Sequence, residues 1–228
     1  MAPVLVDLGY TLWGAGRLDR AGEALQGGRE LLERQGRRDD RDWAHATAGL
    51  GMVEQDRGHL DEAVAHQRTA IAVFTRVCGA DHPDTAQALD KLGYALRLQG
   101  RAQDAVEAHQ RAVRLLERVL GMDDSRVAMT LTNLGLALAD AGRLEEAVTA
   151  QARAHAIFLT ALGPTHASTL LATRRWAVVL AATGQPGRAS ALLDEVLDIA
   201  TARAGDNDAE RDRIAATPRP SMPPPASP

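Results

Sequence analysis

Leu134-Gly135-Leu136-Ala137-Leu138-Ala139-Asp140-Ala141-Gly142-Arg143-Leu144-Glu145-Glu146-Ala147 is the stretch that decides the fold, because the chain repeats it end to end. At steps of 42 residues its turn glycine recurs at Gly16, Gly58, Gly100, Gly142 and Gly184. An alanine five residues later keeps the same step, at Ala21, Ala63, Ala105, Ala147 and Ala189. So does the pair ahead of the turn: Leu8-Gly9, Leu50-Gly51, Leu92-Gly93, Leu134-Gly135 and Trp176-Ala177. Marks at one fixed interval are the signature of a stacked array, in which each unit buries its apolar side only against its neighbours.

Outward from the turn, apolar residues fall at helical spacing on both sides. Val4, Leu5, Leu8 and Leu12 predict a first helix over residues 2 to 14, and a partner helix runs from Leu18 to Arg34. Gly22, Gly27 and Gly28 weaken that partner by roughly 0.5–1 kcal/mol each, as an end repeat with relaxed constraints allows. Gly79, Gly121, Gly163 and Gly205 stop the second helix of successive units, and Asp81, Asp123, Thr165 and Asn207 follow as expected N-caps, with Asp39 in the first unit. Asp42, Asp84 and Ser168 then suit the first turn of the next helix, where the dipole favours them. Pro83 and Pro186 sit at helix starts, where a missing N–H does no harm.

The result is an all-α chain of about five antiparallel helix-turn-helix hairpins, roughly 1–37, 38–79, 80–121, 122–163 and 164–205. A short end helix is expected over about 208–216, and the proline-rich segment 217–228 is expected to be a disordered tail. Ala147 and its equivalents are expected where the two helices of a hairpin cross, while Leu131, Leu134 and Leu138 form the core stripe.

Composition narrows the function. Some 45% of residues are apolar but only 3% aromatic, so the core is built of Ala, Leu and Val, which suits close helix packing. A net charge of −4 disfavours a nucleic-acid partner. Cys78 stands alone, which rules out a disulfide framework or zinc spacing within the chain and reads as a small hydrophobe at a helix end. No apolar run reaches the length of a membrane span and Met1-Ala2-Pro3-Val4 is no secretory signal, so the cytoplasm is expected.

The Leu-Gly pair, the turn glycine and the alanine resemble the tetratricopeptide repeat, whose usual unit is about 34 residues. Gly79-Ala80-Asp81-His82-Pro83-Asp84, with Leu131-Thr132-Asn133-Leu134-Gly135, looks like the 42-residue variety found in kinesin light chain and in many bacterial regulators. The likeness spans residues 4–205, although Asp-His-Pro is intact in one joint only. It implies a right-handed α-solenoid whose first helices line a concave groove that binds peptides or proteins.

On those helices the row beside the core stripe includes Lys91, Asn133 and Arg175 at one position of three successive units. This column looks like the clamp by which some tetratricopeptide domains hold a carboxylate or a peptide backbone, with Arg97 and Arg174 close by and Tyr94 and Met52 offering apolar contact. The partner so implied is a peptide or protein segment, acidic or carboxylate-bearing. Histidines 45, 59, 66, 82, 109, 155 and 166 are scattered, with no helical metal spacing, and His82 and His166 share a joint position that suggests a loop role. No phosphate loop or nucleophile elbow is present, so neither cofactor nor catalytic residue is assigned.

Three functions follow in order: a non-catalytic binding scaffold, the sensor portion of a larger signalling ATPase or transcriptional regulator, and last an enzyme with a groove site. The second is motivated by the abrupt start of the first repeat. Val4, Leu5, Leu8 and Trp13 leave the N-terminal end of the array without an obvious cap, which predicts homo-oligomers.

Overall fold

The computed structural model describes residues 1–203, so the expected end helix over 208–216 and the segment 217–228 lie outside the described residues. Among the described residues there are ten α-helices and no strand: α1 Ala2–Gly14, α2 Leu18–Arg34, α3 Arg41–Asp56, α4 Leu60–Val77, α5 Pro83–Leu98, α6 Ala102–Leu120, α7 Ser125–Asp140, α8 Leu144–Leu162, α9 Ala167–Ala182 and α10 Pro186–Arg203. They form two compact units, α1–α6 in Met1–Gly121 and α7–α10 from Met122 onward. Within each unit every helix packs on the next in sequence, and first helices also meet: α1 with α3, α3 with α5, and α7 with α9.

Each hairpin turns by one device. Gly16, Gly58, Gly100, Gly142 and Gly184 take φ between 72° and 85°, a region that is cheap only without a Cβ. The next residue then donates its N–H five residues back into the helix: Arg17 to Leu12, His59 to Glu54, Arg101 to Leu96, Arg143 to Leu138 and Gln185 to Leu180, all at 2.8–3.0 Å. This is the Schellman closure, which satisfies carbonyls that a helix end leaves orphaned. Across the hairpin Ala21, Ala63, Ala105, Ala147 and Ala189 are wholly buried, as their spacing predicts.

The glycine of the Leu-Gly pair has a specific partner on the second helix. A Cβ at Gly51, Gly93 or Gly135 would lie 2.7, 2.7 or 2.6 Å from the side chain of Gln67, His109 or Gln151 respectively. Those three polar side chains are essentially inaccessible to solvent. Gln67 Nε2 donates to Ala48 O at 2.9 Å and Gln151 Nε2 to Thr132 O at 3.0 Å, while His109 Nδ1 lies 2.8 Å from Asp90 Oδ1. The glycine thus makes the slot and a hydrogen bond fills it, satisfying the buried amide nitrogens.

Two expectations are corrected. The N-caps lie one residue later than read: Asp40 and Asp124 accept with their carboxylates, and His82 and His166 with Nδ1, each from the N–H two residues on. Asp39 and Asp81 instead pair with Arg76 and Arg118 in the last turns of α4 and α6, bridging successive joints. The glycines of α2 are not simply relaxed. A Cβ at Gly28 would meet Val6 Cγ2 at 3.1 Å and Ala2 O at 3.3 Å, so this glycine lets α2 close onto α1.

Candidate functional site

The first helices of the α1–α6 unit bring together side chains that lie far apart in sequence. Gly49 is a dip in the row: with no side chain there, Tyr10 lies across α3, and its phenol donates to His45 O at 2.8 Å. Trp13 Nε1 donates to Asp56 Oδ2 at 2.8 Å, a second tie between α1 and α3. From α5, Lys91 Nζ reaches 6.0 Å from the centre of the Trp13 ring, within cation–π range. Its ammonium makes no ion pair with any described residue.

Below Lys91 opens a cavity of about 240 Å³ with Met52, Phe74 and Ala48 among its apolar walls and Tyr10, His45 and Gln87 among its polar ones. Met52 is buried as part of this lining, whereas Tyr94 lies farther along α5, half-buried beneath the Arg97 guanidinium at 5.3 Å from its ring centre.

Asp84 lines the same cavity and is buried. Arg41 Nε donates to its Oδ2 at 2.5 Å, and His45 Nε2 lies 3.2 Å from the same oxygen. Burial pushes the Asp84 carboxyl up, but the Arg41 hydrogen bond and the charges of His45, Arg41 and His82 outweigh it and hold the group below the usual carboxylate range. Cys78, His82 and Asp84 also offer atoms within 4.8 Å of one another, the residue types of a metal site. Here the carboxylate is already committed to Arg41, and burial followed by the Asp84 charge pushes the Cys78 thiol up, away from the thiolate a metal or nucleophilic role needs.

Tyr10 provides a test of this geometry. Burial first, then the Asp84 charge, raises its phenol well above the ordinary value of 10.0. The neutral phenol is favoured in the fold, so its contribution is complete below pH 10 and is lost as pH climbs toward the raised value. In an alkaline absorbance titration, one of the two tyrosines is expected to ionise only as the helices unfold. Two phenolates forming together at full helicity would contradict the placement.

In the second unit Asn133 on α7 and Arg175 on α9 are half-buried, and both engage neighbouring groups. Apolar side chains stand on either side of them in the helix row: Met129, Leu171 and Val178 are exposed and Leu136 is half-buried. Arg174 is half-buried on α9. This unit therefore presents polar donors between apolar columns, an arrangement suited to an extended segment with both side-chain and main-chain contacts.

Sequence reasoning missed Trp13, His45, Phe74 and Asp84 as neighbours of Lys91. They come from three successive hairpins, and the residues 42 further on are Gln55, Gln87, Leu116 and Arg126, so the repeat step carries no trace of the grouping.

A family profile described as tetratricopeptide repeat matches residues 43–118 and 126–202. The chain belongs to the tetratricopeptide repeat family. Among solved structures, the nearly identical TPR-like repeats of a Podosopora anserina kinesin light chain are 22% identical with a TM-score of 0.74, over 90% of this chain and 96% of that one. BtubC (BKLC) from P. vanneervenii is 19% identical with a TM-score of 0.78, over 97% of this chain and 87% of that one. MamA, 20% identical, gives 0.59 over 86% and 96%. At such identities the likeness establishes the fold alone. A comparison with curated protein sequences gives no significant match. Tetratricopeptide repeats in general bind proteins or peptides as scaffolds, and no described helix of this tetratricopeptide repeat protein is long and apolar enough to cross a membrane.

Proposed function

We propose that this protein is a non-catalytic scaffold that holds a peptide or protein segment, acidic or carboxylate-bearing, against the first helices of its hairpins. Lys91 supplies the donor on the surface of the first unit, and Asn133 and Arg175 supply donors on the second unit's own surface. The observation that carries the reading is Lys91. Its ammonium is held beside Trp13 over a partly apolar cavity, without an ion pair to any described residue, so it can meet an incoming carboxylate without first breaking a salt bridge among them. The cavity is formed by packed helices rather than by loops, so little ordering cost opposes binding. Met52 and Ala48 give an apolar surface to a peptide side chain, and Arg97 on Tyr94 extends the cationic edge. Arg174 lies next to Arg175 on α9 and adds positive charge to the second surface.

Replacing Lys91 and Arg175 together by alanine is expected to weaken binding of an acidic peptide at least about tenfold, each lost charge-assisted hydrogen bond being worth about 1.5–3 kcal/mol. Far-UV circular dichroism should be unchanged, because neither residue belongs to the buried core. Calorimetric titration measures the first and the dichroism spectrum the second. Unchanged affinity removes the clamp.

A further inference from the structure

The cavity beneath Lys91 has a buried lining and an outer rim of opposite chemistry. Ala48, Met52, Phe74 and Ala88 make the buried lining, beside an Asp84 carboxylate already engaged by Arg41 and His45. The rim is polar: Tyr10, His45 and Lys91 are half-buried there and Gln87 is exposed. Tyr10 gives its hydroxyl proton to His45 O, and His45 Nε2 faces Asp84, which leaves two donors at the rim uncommitted. Gln87 and Lys91 stand one helical turn apart on α5, and neither makes a hydrogen bond or ion pair with a described residue. Side chains at that spacing are neighbours, about 5–6 Å between Cβ atoms. The equivalent positions elsewhere hold Pro3 and Asp7, His45 and Gly49, Met129 and Asn133, or Leu171 and Arg175. The donor pair therefore belongs to this cavity and not to the repeat.

We infer that this cavity binds a small monocarboxylic acid with a compact apolar tail, the tail against Phe74 and Met52 and the carboxylate between Gln87 Nε2 and Lys91 Nζ. The two oxygens of one carboxylate can accept from two donors a turn apart, and the ammonium makes one of those bonds charge-assisted. The orientation follows from charge. An acid entering carboxylate first would come up against the ionised Asp84, whose own partners are already in place. An amine would meet Lys91 at the rim, and a dicarboxylate would carry its second charge toward Asp84, so both are disfavoured.

Size narrows the class further. The volume of about 240 Å³ falls just under the roughly 300–1,000 Å³ of pockets that hold drug-sized molecules. A short branched or phenyl-bearing acid fits such a space, and a long fatty chain does not. This ligand goes beyond the peptide reading, with which it shares Lys91. An acid seated there takes the donor that an acidic peptide needs, so the two compete. The concentration of the acid then sets how much peptide the first unit holds.

Calorimetric titration of the full chain with isocaproate tests this, with isocaproamide as the neutral analogue and adipate as the dicarboxylate. Isocaproate should bind saturably, and its amide at least about tenfold more weakly, as the loss of a charge-assisted hydrogen bond predicts. Adipate should also bind more weakly than isocaproate. Lys91→Gln should weaken isocaproate by the same factor, leave the amide as it was and keep circular dichroism unchanged, since Lys91 lies outside the buried core. In NMR spectra the Met52 methyl should move as isocaproate is added. Absence of saturable binding overturns the inference, as does isocaproate held no tighter than its amide or indifferent to Lys91→Gln. Competition separates the two ligands. Acidic peptide bound through Lys91 and not displaced by isocaproate overturns this inference alone. Isocaproate bound by a chain that takes no peptide upholds it and removes the peptide reading.

Discussion

Truncating Phe74 to alanine is expected to destabilise the protein by about 3–5 kcal/mol, as the loss of a buried aromatic generally does. Phe74 is 2% exposed at the centre of a cluster that joins Trp43, Ala44 and Ala48 of α3 to Ala70 and Val73 of α4 and Ala88 of α5. Its ring also stands edge-on to His45, 4.9 Å between centres. Three helices thus share one side chain, and the small residues around it cannot close the hole that alanine leaves. Since a repeat array is stabilised by neighbour interfaces, the loss should appear first in the hairpins that Phe74 joins. Urea denaturation followed by tryptophan fluorescence, with Trp13 and Trp176 replaced by phenylalanine so that Trp43 in the same cluster reports alone, measures it. Phe74→Leu should recover much of the loss, because it keeps most of the volume. A loss below 1 kcal/mol for the alanine variant would show that this cluster is not the core of its unit.

The second large effect runs the other way, by overfilling. Ala147→Leu is expected to cost about 1–3 kcal/mol or more, since a wholly buried methyl at a helix crossing leaves nowhere for three more carbons. Ala156→Leu on the same helix is the control. That position is exposed, and leucine there should be close to neutral. Thermal unfolding of the two variants separates the crossing from any general effect of leucine in α8. Equal melting temperatures would mean that the alanine column is a habit of composition and not a packing requirement.

What the amino-acid sequence made legible was whatever the 42-residue step repeats. The turn glycines, the alanine column and the extents of α1 and α2 could be read because each has four further copies to compare or a clear helical stripe. The caps were misread by one residue because aspartate suits two tasks at a joint, capping the next helix or pairing with an arginine. Asp39 and Asp81 do the second, and histidine, a less usual cap, does the first at His82 and His166. The column Leu25, Gln67, His109, Gln151 and Leu193 was in plain view at the same step. Its meaning depends on the facing glycines, and helix-to-helix distance is not visible in one dimension.

The candidate site divides in the same way. Lys91, Asn133 and Arg175 were found because they share a repeat position, and position is all that periodicity supplies. The pairing of Lys91 with Trp13, and of Asp84 with Arg41 and His45, depends on how far α5 and α1 close around α3. That closure is set by Gly49 and Tyr10, a pair that no other hairpin repeats.

The most direct measurement is residue-level mapping by NMR, titrating the full chain with a short acidic peptide and following amide and methyl shifts. The account predicts that Lys91, Met52 and Leu136 shift with increasing peptide, along with Asn133 and Arg175, while the exposed second-helix residues Arg68 and Arg111 stay still. Shifts centred on Arg68 and Arg111, with the first-helix residues unmoved, would contradict it.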